Sequence, residues 1–253
     1  MKIAAIKCST NNLGDDMQAM AARQLLPSYP DYWVDKDALD TFEPGEPTKL
    51  IINGFMRSGK WPRSRNVIPL VIGMHAGDSG VFGNESVHWL SQRPVGCRDQ
   101  WTTEQLRARG VNAYCSGCLT MTLSPPSTAV KKGVVAVDSH YEGAEVISQY
   151  IKSGVVDGRD EMLHNFLSCI YEASMVVTVR LHAALACLAF QKPCWLLVKD
   201  YNDPRFTGYL AMLNTVSAHS LTQSDRLPVP RPATDPNGLI NRIRSVVRTF
   251  FET

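Results

Sequence analysis

Short β-branched runs, each stopping at a glycine or a polar residue, recur along this chain with helical segments between them. The runs are KIAAIKC (2–8), KLIINGFM (49–56), VIPLVIGMH (67–75), PVGCRD (94–99), VNAYCSG (111–117), GVVAVDSH (133–140), SMVVTV (174–179) and CWLLV (194–198). Apolar runs without alternation suit strands covered on both faces, the condition inside a parallel sheet. Between them, DQWTTEQLRARG (99–110) reads as an amphipathic helix that Gly110 stops. Helical spacing also marks the stretch from Met17 toward Pro27, begun by Asp15 or Asp16, and the segments 142–154, 160–173, 182–191 and 235–253.

The alternation breaks at SPPSTAVKKG (124–133), where two prolines and small polar residues read as a linker. The expected fold is therefore α/β: two doubly wound Rossmann-like domains, 1–125 and 131–253, facing a cleft, with the last helix packing back on the first domain. Sheets of this kind bind ligands beyond the C-terminal ends of their strands. The polar residues that follow the apolar runs are the candidates for function.

Composition removes several function classes. Lys and Arg number 26 against 24 Asp and Glu, so the net charge of +2 offers no basic face for nucleic acid. The longest apolar run, AALACLAF (183–190), is far short of the roughly 20 residues of a membrane span, and the N-terminus lacks a signal-peptide pattern. A cytoplasmic chain without a transmembrane segment is expected, with room for peripheral association at a membrane. Seven cysteines is an odd count, and the pair Cys115/Cys118 has no second pair at zinc-binding spacing. Those cysteines are read as structural, and neither a metal nor a cofactor is expected.

Three stretches place chemistry at strand ends. In VVTVRLHAALACLAF (176–190), Arg180 ends a strand and His182 opens a helix, whose first N–H groups lack intrahelical partners. A guanidinium, an imidazole and such N–H groups together suit a phosphate or carboxylate. In the plainer alternative, Arg180 pairs with a nearby acid and His182 caps or packs. Arg98 repeats the arrangement in VGCRDQWTTEQL, where Asp99 or Thr102 starts the helix, and its plainer alternative is a salt bridge. GMHAGDSG places His75 and Asp78 in a glycine-rich loop, and NNLGDD places Asn12, Gly14 and Asp15 at a strand–turn–helix joint that can cradle a polar ligand.

The blocks NLGDDMQA (12–19), PVGCRDQWTTEQLRARGVNAYCSGCLTMTL (94–123) and RLHAALACLAFQKPCWLL (180–197) resemble the polysaccharide pyruvyl transferase family. The resemblance implies a two-domain, glycosyltransferase-B-like fold. It also implies transfer of pyruvate from phosphoenolpyruvate onto two hydroxyls of one sugar, forming a cyclic ketal. By that resemblance Arg180 and Arg98 would hold the phosphate and carboxylate of phosphoenolpyruvate, with the Leu181 N–H as a further donor. His182 would be the general acid and His75 a second catalytic histidine. Asn12, Gly14 and Asp15 would lie on the first domain, on the acceptor side. Permanently charged arginines suit a trianionic donor, and an imidazole with an intrinsic pKa of about 6.5 suits proton exchange near neutrality.

The implied partners are phosphoenolpyruvate and a glycan of a surface polysaccharide, or its nucleotide- or lipid-linked precursor. Two competing expectations are a glycosyltransferase using a nucleotide-sugar donor and a non-catalytic member of a polysaccharide assembly cluster. The chain is short for this family, and the span from NLGDD to GMHAGD is compact, which shortens the region expected to recognise the acceptor. No oligomeric state follows from the sequence.

Overall fold

A computed structural model describes residues 1–126, 132–151, 158–220, 227–230 and 236–253. The chain divides into two compact units. Unit 1 comprises Met1–Ser9, Gln18–Leu119 and Leu239–Thr253, and unit 2 comprises Thr10–Met17 and Thr120–Gly238. Of the segment expected as a linker, residues 127–131 lie outside the described residues.

The strands are β1 (Lys2–Lys7), β2 (Tyr32–Asp35), β3 (Thr48–Met56), β4 (Val67–Ala76), β5 (Val95–Cys97), β6 (Ala113–Cys115), β7 (Lys132–Val137), β8 (Glu145–Ile147), β9 (Ala173–Thr178), β10 (Cys194–Val198) and β11 (Asn214–Ser217). The helices are α1 (Leu13–Gln24), α2 (Asn84–Ser91), α3 (Gln100–Arg107), α4 (Arg159–Glu172), α5 (Leu181–Ala189) and α6 (Asn237–Glu252).

Unit 1 holds a six-stranded sheet in the order β2-β1-β3-β4-β5-β6, parallel throughout. Ile51, Ile52, Val71 and Ile72 are all buried, although neighbouring side chains on a strand point to opposite faces. Both faces of β3 and β4 are therefore covered, which is why their sequences read as continuous apolar runs. In α6, Ile240, Ile243 and Val247 are buried at helical spacing. The buried Lys49 donates its Nζ to the Phe250 carbonyl at 2.7 Å, supplying a cation to the C-terminal end of that helix.

Unit 2 holds a five-stranded parallel sheet in the order β11-β10-β9-β7-β8. Each unit is thus a doubly wound α/β fold. Strand order reverses between β1 and β3 in unit 1 and between β7 and β9 in unit 2. Such reversals leave a crevice at the C-terminal strand ends, because successive crossovers leave in opposite directions.

One expectation is corrected. The segment 142–154, expected as a helix, contains the strand β8 instead, and its residues 152–154 lie outside the described residues. Gly143 turns the chain with φ +72°, and Glu145, Val146 and Ile147 then pair in parallel with Val135, Ala136 and Val137. The apolar spacing that imitated a helix belongs to a short edge strand, whose ladder bonds outweigh a weak local preference. The short strands β2 and β11 and the helix α2 carry little periodicity and were not anticipated from sequence.

Candidate functional site

In unit 2 the reversal of strand order puts the residues after β7 beside those after β9. Arg180 directly precedes α5, as its N-cap, with no side-chain capping bond. Its own N–H donates to Thr178 Oγ1 at 2.9 Å. Because Ala184 N–H makes the helix's opening bond to the Arg180 carbonyl, the N–H groups of Leu181 and Ala183 lie ahead of the ladder. The helix therefore presents its positive end where Arg180 sits.

The Arg180 guanidinium is held on two sides. Its Nε donates to Asp138 Oδ2 at 2.7 Å, and its plane lies 4.4 Å from the centre of the Tyr150 ring, with Nη1 3.3 Å from the Tyr150 hydroxyl. The plainer alternative for Arg180, a pair with an acid, is what the geometry shows. Asp138 also accepts from Ser148 Oγ at 2.7 Å and from the Gln149 N–H at 3.1 Å. These bonds hold Asp138 at φ +49°, a left-handed conformation that non-glycine residues adopt only under outside constraint.

The segment NNLGDD joins the same cluster. Residues 10–17 belong to unit 2, so Asn12, Gly14 and Asp15 stand with the second unit rather than the first. The reason is backbone pairing: the Leu13 N–H donates to the Gln149 carbonyl at 2.8 Å, and the Ile151 N–H to the Asn11 carbonyl at 2.9 Å. Asn12, not Asp15 or Asp16, supplies the capping oxygen of α1. Its Oδ1 accepts from the Gly14 N–H at 2.9 Å and from Gln149 Nε2 at 2.7 Å. Asp15 accepts from Thr10 Oγ1 at 2.7 Å. Asp16 pairs with Arg159 at 2.5 Å, while burial raises its carboxyl pKa and the Arg159 bond works against that rise.

Gly14 explains why this joint needs a glycine. A Cβ there would stand 2.6 Å from Gln149 Nε2 and 2.7 Å from His182 Nδ1. The backbone of α1 thus presses on the imidazole that the sequence singled out, leaving room for a hydrogen atom only.

Unit 1 carries a second polar cluster. His75 lies in β4, and Arg98 and Asp99 follow β5, the neighbouring strand. All three are buried. His75 Nδ1 meets Asp99 Oδ2 at 2.6 Å and Thr102 Oγ1 at 3.1 Å, and Arg98 Nε lies 3.7 Å from the same Asp99 oxygen. Asp99 also caps α3, its Oδ1 accepting from the Thr102 N–H at 2.9 Å. The Phe55 and Trp101 rings lie 5.1 and 6.0 Å from the imidazole. His75 is therefore a buried strand residue, not a member of an exposed loop, and Asp78 caps a separate turn at Gly80.

The sequence reading missed Asp99 as the partner of His75, and Asp138, Gln149 and Tyr150 around Arg180. Asp138 had a signal, since it ends GVVAVD as Arg180 ends MVVTVR. Gln149 and Tyr150 had none, because they fell inside the supposed helix. No disulfide joins Cys115 and Cys118; the first is exposed and the second buried. Among the described residues no group of three or more His, Cys, Asp or Glu side chains is placed to hold a metal, and no helix is long and apolar enough to cross a membrane.

Comparison with known proteins adds sequence-level and fold-level likeness. A family model described as polysaccharide pyruvyl transferase matches residues 12–201. No curated protein sequence matches significantly. Among solved structures, an uncharacterized protein from Klebsiella pneumoniae is similar at 15% identity and a TM-score of 0.52, over 86% of this chain and 93% of that one. A UDP-GlcNAc 2-epimerase from Methanocaldococcus jannaschii aligns at 9% identity and a TM-score of 0.46, over 100% of both chains.

Proposed function

The chain belongs to the polysaccharide pyruvyl transferase family, and on that premise we propose that it forms a pyruvate ketal on a sugar diol, with phosphoenolpyruvate as donor. The acceptor in this reading is a surface polysaccharide or its nucleotide- or lipid-linked precursor. One observation carries the reading: Arg180, fixed by Asp138 and Tyr150, sits at the N-terminus of α5 where the strand order of unit 2 reverses. A guanidinium and helix N–H groups at such a crevice form an anion site.

The chemistry assigns roles to the residues. Arg180 and the Leu181 N–H hold the phosphate. His182 protonates the methylene carbon of phosphoenolpyruvate while the first sugar hydroxyl bonds to its central carbon. That carbon then carries methyl, carboxylate, phosphate and sugar oxygen. The phosphate leaves with its bridging oxygen as the second hydroxyl of the same sugar closes the ketal. Two hydroxyl protons are lost in all; one replaces the proton that His182 gave to carbon, and the other leaves with phosphate. Histidine suits this give-and-take because its intrinsic pKa of about 6.5 lies near neutrality. Arg98 and His75 take their roles from the family, as a cation for the donor carboxylate and a second proton-transfer group, with Asp99 orienting both. In this reading the cytoplasm is the place of reaction.

The test is to incubate the protein with phosphoenolpyruvate and candidate glycans, following phosphate release and a glycan mass gain of one pyruvate less one water. Arg180→Lys and Arg98→Lys are each expected to raise the KM for phosphoenolpyruvate, because lysine cannot form the two-pronged contact. The absence of phosphate release with every acceptor, together with the absence of a donor-dependent rise in melting temperature, would sink the reading.

A further inference from the structure

The connection from β3 to β4, RSGKWPRSRN (57–66), departs from the usual architecture of a parallel sheet. Met56 ends β3 and Val67 begins β4 opposite Thr48, so the chain must return by eight strand residues, about 26 Å at 3.3 Å each. A ten-residue helix spans only about 15 Å. The connection therefore runs extended and irregular, and the helix that normally covers such a crossover is absent. What it leaves is a cavity of about 830 Å³ within unit 1.

The lining is chemically mixed. Lys60, Arg63 and Arg65 from the crossover and Arg93 after α2 supply four cations, against Asp40 and Glu85. Trp61 and Trp89 stack at 4.9 Å with 8° between their planes, and the Arg93 guanidinium covers Trp89 at 3.7 Å. Trp61 Nε1 is tied to Ser86 Oγ and Trp89 Nε1 to the Pro62 carbonyl, so this wall is rigid. Two of the lining groups have buried polar atoms without a hydrogen-bond partner, Arg93 Nη1 and Asp40 Oδ1. Folded chains seldom strand a donor and an acceptor in this way, so the fold leaves hydrogen-bonding capacity unused on two of the charged groups that line the cavity.

We propose that this cavity binds an acidic saccharide. Arginine and lysine meet its carboxylate, Asp40 and Glu85 accept from its ring hydroxyls, and the indole edges of the rigid wall pack on its carbon framework. A bare phosphate would use the cations and leave Asp40 repelled. A neutral sugar would leave the excess of positive charge unanswered. The site is distinct from the His75 cluster, since Pro69, which lines it, lies six residues along β4 from His75, about 20 Å. That the saccharide is a segment of the acceptor glycan rests on the pyruvyl-transfer reading, and the binding itself does not.

Calorimetric titration with tetragalacturonate, with maltotetraose as the neutral probe and sodium pyrophosphate as the bare anion, tests the proposal on the full chain. Tetragalacturonate is expected to bind at least about tenfold more tightly than either, the change expected from one charge-assisted contact. Arg93→Gln and Asp40→Asn should each weaken it about tenfold. Because Arg93 also packs on Trp89, the exposed pair Arg63→Gln/Arg65→Gln, checked for an unchanged melting temperature, must weaken it as well. None of these variants should alter the melting shift produced by phosphoenolpyruvate, whereas Arg180→Gln should abolish that shift and leave tetragalacturonate binding unchanged. Equal binding of the neutral probe, tighter binding of pyrophosphate, or variants that bind as the parent does would each overturn the proposal. Loss of the phosphoenolpyruvate shift alone would count against the transferase reading only.

Discussion

Gly14→Ala separates stability from function at the joint where α1 meets His182. The added Cβ would lie 2.7 Å from His182 Nδ1 and 2.6 Å from Gln149 Nε2, and an ordinary contact starts at 3.4 Å. The imidazole must therefore move about 0.7 Å (3.4 − 2.7) and the amide about 0.8 Å (3.4 − 2.6). Overpacking of this kind costs about 1–3 kcal/mol. Replacing glycine by alanine inside a helix returns up to about 1 kcal/mol, so the net loss of stability is about 0–3 kcal/mol. The displaced His182 should weaken the donor site about tenfold, or about 1.4 kcal/mol.

Thermal unfolding with phosphoenolpyruvate at a fixed concentration of about 100 times the parent Kd reads this directly. The parent should gain about 2.7 kcal/mol, and a tenfold weaker variant about 1.4 kcal/mol. For a chain of this size that is a rise of about 5–11 °C against about 3–6 °C. Gly133→Ala, where a Cβ meets nothing within 4 Å, is the control and should show the full rise. A Gly14→Ala protein with both an unchanged melting temperature and the full donor-dependent rise would refute the packing argument.

Asp99→Asn keeps the cap of α3 but removes the carboxylate from the buried imidazole and guanidinium, and should cost about 1–3 kcal/mol by denaturant titration; a loss below about 0.5 kcal/mol would show the cluster to be loosely coupled. Asp31 accepts from the Ile3 N–H and from Lys2, in that order of effect, which holds its carboxyl below the ordinary range. A lowered acid pKa adds stability above the unfolded value and loses it as pH falls, so Asp31→Asn should be less stable than the parent at pH 7, the two converging well below about pH 3.9. Burial pushes the Cys97 thiol up to about 12, leaving about one thiolate in 10⁴ at pH 8. Iodoacetamide should label Cys97 only after unfolding, and labelling of the native protein at the unfolded rate would contradict that.

The strand reading succeeded where both faces are covered, as at Ile51, Ile52, Val71 and Ile72, because burial on both sides writes itself into consecutive residues. It failed at 142–154 because β8 is a three-residue edge strand, too short to show a strand period of its own, and its residues are mostly exposed rather than written as a buried apolar run. His75 was legible as a candidate but not in its setting: the sequence shows a glycine-rich loop, and the structure shows a buried ring on the carboxylate of Asp99, 24 residues away.

By itself the sequence determined the two doubly wound sheets, the arginines at their strand ends and the family, all properties of short contiguous patterns. Which unit owns NNLGDD was decided only in three dimensions, by the backbone bonds that the Leu13 N–H donates to the Gln149 carbonyl and that the Asn11 carbonyl accepts from Ile151. The same holds for the Asp138 and Tyr150 clamp on Arg180, for the pressure of Gly14 on His182, and for the cavity beside the β3–β4 crossover. Each depends on atoms brought together across many residues of chain, and local patterns carry no record of such meetings.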